Sequence, residues 1–441
     1  MARCKIVFIG GGSFNWGPQI IRDFIVTPEL QQSTLVLHDI DRKAARHNLH
    51  IAKLLKQQAG PSIEVEVADS RRAALDGADY VVLAISTGGL EAWRLDMEIP
   101  NKYGCRQTIA DTVGPGGMSR ALRNIPVILG IARDMEELCP NAWLLNVTNP
   151  MTTLTRSVWR ETKIRCVGLC HEVFGFLGYV RRAFKVTDAD LTFNAAGINH
   201  CIWVLELGIK GKNGLEMIRR KWRKEGFPRK DIVAPLLFEV FRYMPVWNGR
   251  HLSEFFPHFL TPESGYGARY GFLDQMVTVK DRFAAMAKHR QRWLGMAKGR
   301  SLPELSLGDE PVVPIILAME DNRPYHFMGN MPNRGQISNL PMDVVVETRA
   351  VADSGGVTPL ASGPLPEAIR SVLARHVSNQ ELIVEAAVTG NRQAALQAFI
   401  NDPLVNNFEG AEKMLDDLLA AHAKWLPQFR ESRRRGKSAR G

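Results

Sequence analysis

The chain predicts an α/β fold, a doubly wound parallel sheet of the Rossmann type followed by a mixed α+β C-terminal domain. Three observations carry this expectation. The apolar run Ile6-Val7-Phe8-Ile9 passes directly into Gly10-Gly11-Gly12-Ser13, a strand ending in glycines that let the backbone approach a pyrophosphate. A second strand, Leu35-Val36-Leu37-His38, ends in Asp39, where a ribose diol is read in such sheets. Short continuous apolar runs then alternate with helical patterns, as buried parallel strands and their crossovers do.

In order, the pattern gives a strand at 5–9, a helix at 16–26, a strand at 34–38, a helix at 42–58 and a strand at 63–67. A short helix at 71–76 and a strand at 79–85 follow. The strand 79–85 delivers Ser86-Thr87-Gly88-Gly89 to the carboxyl edge of the sheet, and the strand 142–147 delivers Thr148-Asn149-Pro150. Gly10, Gly11, Gly12, Ser13, Asp39 and Ser86 are therefore the candidate contacts to a nicotinamide dinucleotide. A glycine-rich turn with this spacing also occurs as plain structure, and Asp39 tips the balance.

After about residue 190 the pattern is mixed. Strands near 192–197 and 202–209 precede basic helices from 215 to 245 and a loop-rich, aromatic stretch at 247–272. Met342–Thr348 reads as a strand, and 366–400 as two helices broken at Gly390-Asn391. The expected organisation is a dinucleotide-binding domain at 1–190, a mixed domain at 191–428 for substrate, metal and oligomerisation, and a disordered basic tail at 429–441.

A chain of 441 residues exceeds one ordinary core. Six cysteines are too sparse for a disulfide framework and fit a reducing compartment, so the cytoplasm is the expected location. No stretch is long enough to span a membrane, and the first residues run into a strand rather than a signal peptide. The formal charge of +10 is partly concentrated in the tail, and Arg219–Lys224 reads as a solvated helix face rather than a nucleic-acid surface. Net positive charge also suits an anionic small molecule.

Cys170-His171-Glu172-Val173 follows the apolar run Ile164–Leu169, and Asn199-His200-Cys201 follows Phe193–Ile198. A thiolate and an imidazole delivered from two strand ends can share a divalent ion with positions left open for substrate oxygens. Two buried side chains would give the same pattern. Trp143, Trp159 and Trp203 read as core, as does Phe255-Phe256, and Cys201 as a small buried residue.

The order of these motifs, joined by Ala110-Asp111-Thr112-Val113-Gly114-Pro115-Gly116-Gly117, Asn146–Pro150, Gly197-Ile198-Asn199-His200, Ile337–Asp343 and Val384–Ala387, resembles glycoside hydrolase family 4 across about residues 5–405. That family is the NAD-dependent exception to two-carboxylate glycoside hydrolysis. The resemblance implies NAD and a divalent ion, commonly manganese. It makes Cys170 and His200 the metal ligands, places Asn149 on sugar hydroxyls beside the metal, and places Asp111 in the substrate loop. It implies transient oxidation at C3, loss of the acidified C2 proton, elimination of the aglycone, addition of water and return of the hydride. It also implies a homodimer or homotetramer.

The tetrapeptide Cys-His-Glu-Val resembles the α-galacturonidase group and disfavours a 6-phosphorylated sugar. The expected substrate is a small α-galacturonide. Alternatives are an α-glucuronidase, or a neutral α-glucosidase or α-galactosidase, of the same family. Outside it stand a 2-hydroxy-acid dehydrogenase and a non-catalytic dinucleotide-binding regulator. A uronate needs a cation, with Arg250, Arg269, Arg282 and Arg334 all open. Glu172 is favoured over His171 as the acid for the leaving oxygen, the other reading being that one of them orients Cys170. The tyrosine that many members use as C2 base has no counterpart in the centre of Arg250–Leu260. His251, His258, Tyr266 and Tyr270 are candidates for that base, with His258 and Tyr266 ranked first.

Overall fold

The computed structural model describes residues 2–228, 230–272 and 278–429. The tail beyond Phe429, expected to be disordered, lies outside the described residues. One sheet of 13 strands organises the described chain. Its parallel half is built from β1 (Lys5–Ile9), β2 (Thr34–His38), β3 (Glu64–Val67), β4 (Tyr80–Leu83), β5 (Trp143–Asn146) and β6 (Arg165–Leu169). They lie in the spatial order 3-2-1-4-5-6, as in doubly wound dinucleotide-binding sheets.

The later strands are β7 (Leu191–Ile198), β8 (Cys201–Ile209), β9 (Lys212–Asn213), β10 (Met244–Pro245), β11 (Tyr325–Pro332), β12 (Val345–Asp353) and β13 (Gly356–Pro359). They extend the same sheet: β11 pairs antiparallel with β6, β12 with β11, and β7 with β12. Through three antiparallel steps β7 runs opposite to β6, and the turn after β7 brings His200 against Cys170, the residue that follows the carboxyl end of β6.

Alternation along β1 explains how the sheet is held. Ile6 and Phe8 point into the apolar layer shared with the helices Gly17–Ile25, Arg42–Ala59 and Val312–Asp321, whereas Val7 and Ile9 face the layer filled by the helix Gly114–Leu138. Phe8 is fully buried, so its truncation to Ala is expected to cost about 3–5 kcal/mol.

The strands expected before residue 100 fall within two residues of their observed ends. Later expectations need correction. The basic helix Gly214–Glu225 is followed by an apolar one, Val233–Phe241. The strand expected at 342–348 starts at Val345 and runs to Asp353. The stretch 247–272 contains the helix Gly249–Phe255. Gly114–Gly117 are not loop residues but the first turn of a 25-residue helix, with Pro115 where its missing N–H costs nothing. A Cβ on Gly117 would lie 2.6 Å from the Thr112 backbone, so glycine serves close packing there.

The basic run at 219–224 is ion-paired within the chain: Arg219, Arg223 and Arg242 meet Glu239, Arg220 meets Glu216, and Lys221 meets Glu225. Trp203, Trp143, Phe255, Phe256 and Cys201 are buried, and Trp159 is half-buried.

Candidate active site

At the amino end, the glycine turn is fixed by close approach. Gly10 has φ of 94°, and a Cβ there would lie 2.0 Å from the Ala84 carbonyl oxygen. A Cβ on Gly12 would lie 2.9 Å from the Asp39 carboxylate. Asp39 accepts the Gly12 N–H at 3.0 Å and the Asp41 N–H at 2.8 Å, which ties the second strand to the turn. The two carboxylate oxygens retain lone pairs for a diol.

Ser13 accepts the Trp16 N–H at 3.1 Å, and Ser86 sits exposed beyond β4, its carbonyl accepting the Gly89 N–H. Sequence reasoning missed Asn48, whose amide donates to the Gly11 and Ser13 carbonyls at 2.8 and 3.0 Å. Arg123 and Asn124 were also missed. They hold the loop after β4 by bonds to the Thr87 carbonyl and N–H, and Arg123 itself is locked in a buried ion pair with Asp96.

Across the same edge, Cys170 follows β6 and His200 sits in the two-residue turn between β7 and β8. Gly197 permits this hairpin, because a Cβ there would lie 2.2 Å from the Cys201 carbonyl oxygen. His200 takes φ of 66°, a left-handed conformation that a side chain resists. One donor atom each from Cys170, Glu172 and His200 lies within 4.8 Å of the others.

The donor chemistry fits a divalent ion. Burial pushes the Cys170 thiol well above its usual range, so a cation is needed to hold a thiolate there. Burial also keeps the His200 imidazole neutral, its pKa lowered to about 4. Thr112 donates its hydroxyl to Asp111 at 2.7 Å, so the matching 2.7 Å bond to His200 Nδ1 assigns the imidazole proton to that nitrogen and frees Nε2 as a ligand. Glu172 Oε1 accepts from Asn248 at 2.7 Å, whereas Oε2 is buried with no hydrogen-bond partner among the described residues.

His251 stacks on His200 with ring centroids 3.6 Å apart. It lies 3.8 Å from Asp111 and 4.0 Å from Glu172, and its Nδ1 is buried without a hydrogen-bond partner among the described residues. The structure brings His251 to the cluster, and His258 is not among its members. His258 is exposed on a short turn at Pro257–Phe259, and Tyr266 lies under the Arg106 guanidinium, 4.5 Å from the ring centre. Tyr270 packs against Phe259. His171 stands at the mouth, 3.1 Å from Glu310, a bond that raises its pKa.

Asn149 offers a buried, unpartnered Oδ1, while its carbonyl accepts from Arg120 at 2.9 Å. Glu254 is a further residue missed by the sequence. Its Oε1 accepts the N–H groups of Thr108, Ile109 and Ala110 at 2.8, 2.8 and 2.9 Å. It thereby shapes the loop that carries Asp111, including the left-handed Ala110.

A dinucleotide-type sheet with a thiol, imidazole and carboxylate group at its carboxyl edge defines a class of enzyme rather than a passive binding protein. Residues 5–186 match the model of the family 4 glycosyl hydrolases, and residues 195–405 match that of their C-terminal domain. The chain belongs to family 4 of the glycosyl hydrolases, and is an enzyme acting on glycosidic bonds rather than a 2-hydroxy-acid dehydrogenase or a regulator.

An α-galactosidase of Bacillus subtilis is 36% identical over 97% of this chain and 100% of its own length. An α-galacturonidase of the same organism is 33% identical over 94% of this chain and 96% of its own. Among solved structures, a 6-phospho-α-glucosidase from gut microorganisms, in complex with NAD and Mn2+, has a TM-score of 0.83 at 22% identity, covering 97% of this chain and 100% of that one. This last likeness is one of fold. Among the described residues no helix is long and apolar enough to cross a membrane.

Proposed function

We propose that the chain is an NAD- and Mn2+-dependent glycosidase that cleaves small α-galacturonides by transient oxidation of the sugar. The carrying observation is the Cys170–Glu172–His200 group, set at the same sheet edge as the Gly10–Ser13 turn and Asp39. When bound, the dinucleotide accepts and returns a hydride at C3, and the divalent ion acidifies the C2 proton by drawing charge from the neighbouring sugar oxygens.

The chain's own groups do the rest. Gly10, Gly11, Gly12 and Ser13 supply close backbone approach, Asp39 the diol contact, and Ser86 the edge of the nicotinamide pocket. Cys170 and His200 hold the ion, and Asn149 and Asp111 take sugar hydroxyls. His251 is placed to remove the C2 proton, since its open nitrogen is in the cluster. Glu172 gives a proton to the departing oxygen, with His171 flanking it. A cleft lined by His171, Glu172, Tyr179, Trp247 and Asn248 gives the departing group a path.

Support for a galacturonide comes from Cys170-His171-Glu172-Val173 and from the α-galacturonidase relative. The second reading, a neutral α-galactosidase, is favoured by the 36% identical relative. The six free, buried cysteines agree with work in the cytoplasm, and a homodimer or homotetramer is the expected assembly. The test is release of p-nitrophenol from α-galacturonide, α-glucuronide, α-glucoside and α-galactoside, with NAD or Mn2+ omitted in turn. Cleavage of the galacturonide that needs both supports the proposal. Preference for the galactoside moves the substrate, and cleavage without NAD removes the oxidative route.

A further inference from the structure

Arg120 and Arg250 interact with Asp111, and Arg282 in turn lies close enough to repel both of them. Arg120 donates from Nε to the Asn149 carbonyl at 2.9 Å. Arg250 opens the helix that carries His251, and Arg282 reaches from the helix Val279–Met296 to lie 5.7 Å from the Trp93 ring centre. The Nε atoms of both Arg250 and Arg282 are buried with no hydrogen-bond partner among the described residues.

Asp111 attracts Arg120 and Arg250, while Arg282 repels both of them. Asp111 is already engaged by the Thr112 hydroxyl, and Glu254 spends one oxygen on three backbone N–H groups. Burial lowers the pKa of Arg120 and Arg250, and the neighbouring Arg282 guanidinium adds to the shift while Asp111 opposes it. The other two arginines open from the sequence are placed differently: Arg334 is paired with Asp343, and Arg269 is exposed.

We propose that Arg250 and Arg282, backed by Arg120, form the subsite for an anion carried by the sugar, namely the C6 carboxylate of an α-galacturonide. This assignment rests on the substrate reading given above. A planar carboxylate matches the guanidinium fork, takes up the two orphaned donors and supplies the missing negative charge. A neutral galactoside leaves the two orphaned donors without an anion. A C6 phosphate is also an anion, of about −1.5 to −2 charge at pH 7, and the experiment separates the two.

Calorimetric titration of the NAD- and Mn2+-loaded enzyme with D-galacturonate, D-galactose and galactose 6-phosphate tests the assignment, using wild type, Arg250→Gln, Arg282→Gln and the charge-preserving Arg250→Lys. NAD affinity and thermal unfolding are followed alongside. The expected result is galacturonate bound at least about tenfold more tightly than galactose, with that preference lost in either Gln variant and partly kept by Arg250→Lys. NAD affinity should stay unchanged.

Folded Gln variants that keep the preference, in an enzyme that still cleaves the galacturonide, overturn the subsite and leave the substrate reading standing. Preference for the 6-phosphate that depends on the same arginines keeps the anion subsite and overturns the galacturonide reading. A loss of NAD affinity in parallel assigns the arginines to the cofactor and overturns the proposal. So does a wild type with no preference for either anionic sugar.

Discussion

The two ends of the site are built by opposite means. The glycine turn and Asp39 come from two adjacent strands and use mostly backbone: the Asn48 amide donates to the Gly11 and Ser13 carbonyls, and the Gly12 and Asp41 N–H groups donate to the Asp39 carboxylate. The cluster around His200 draws side chains from five separated segments and keeps several polar atoms buried and unpaired, among them Glu172 Oε2, His251 Nδ1 and Asn149 Oδ1. It also places His200 and Ala110 in left-handed conformations. One end is a rigid cradle complete in itself, whereas the other is complete only with ligands, and the energy of forming it is recovered on binding.

Substitutions should therefore act very differently at the two ends. The largest effect is expected for Cys170→Ser, which removes the thiolate. Turnover should fall by about three orders of magnitude and Mn2+ affinity with it, while NAD affinity, read by fluorescence titration, stays put. Equal loss of both affinities would mean that the ends are one coupled unit.

Glu254→Ala should cost about 2–4 kcal/mol in denaturant unfolding, since three N–H groups lose their acceptor, and kcat/KM should fall through Asp111. Glu254→Gln keeps an oxygen there and should be much milder. The same residue sharpens the comparison through pH. Burial raises Glu254 to about 7 and Asp402 to about 6, both above their unfolded values. The folded state therefore binds more protons than the unfolded one between those values. The contribution of Glu254 to the stability of the metal-free chain should fall by about 2–3 kcal/mol on going from pH 5 to pH 8. The buried imidazoles of His200 and His251, held neutral with pKa values lowered to about 4, act in the opposite direction. The Glu254 part is read as the difference between wild type and Glu254→Gln across that range.

The smallest effect belongs to the cradle. Asp39→Ala should weaken NAD by about tenfold, some 1.4 kcal/mol, and leave galacturonate binding unchanged. An unchanged NAD affinity would take Asp39 out of the diol contact.

This contrast also explains what was legible in the sequence. β1, β2 and their turn read directly, because period, glycine and acid lie within a few dozen residues and each element is dictated locally. Cys170 and His200 stood out as types at strand ends, but their approach depends on β7 entering the sheet beside β12, a pairing that no local pattern encodes. The helix Gly114–Leu138 was hidden because its glycines looked like a loop, when they serve close packing. His251 ranked below His258 in sequence because nothing local shows that the helix Gly249–Phe255 packs the first against His200 while the turn Pro257–Phe259 leaves the second exposed. Glu254 and Asn48 carried no signal at all, as they act on backbone groups remote in sequence.

The central claim is that the bond is broken through oxidation and C2 deprotonation rather than by direct displacement. Its most direct test is hydrolysis of p-nitrophenyl α-galacturonide in D2O, with NAD and Mn2+ present and the released sugar analysed by NMR. Deuterium at C2 of the product, absent when the free sugar is incubated without enzyme, is the predicted result. Product formed at full rate with hydrogen retained at C2 would contradict the account.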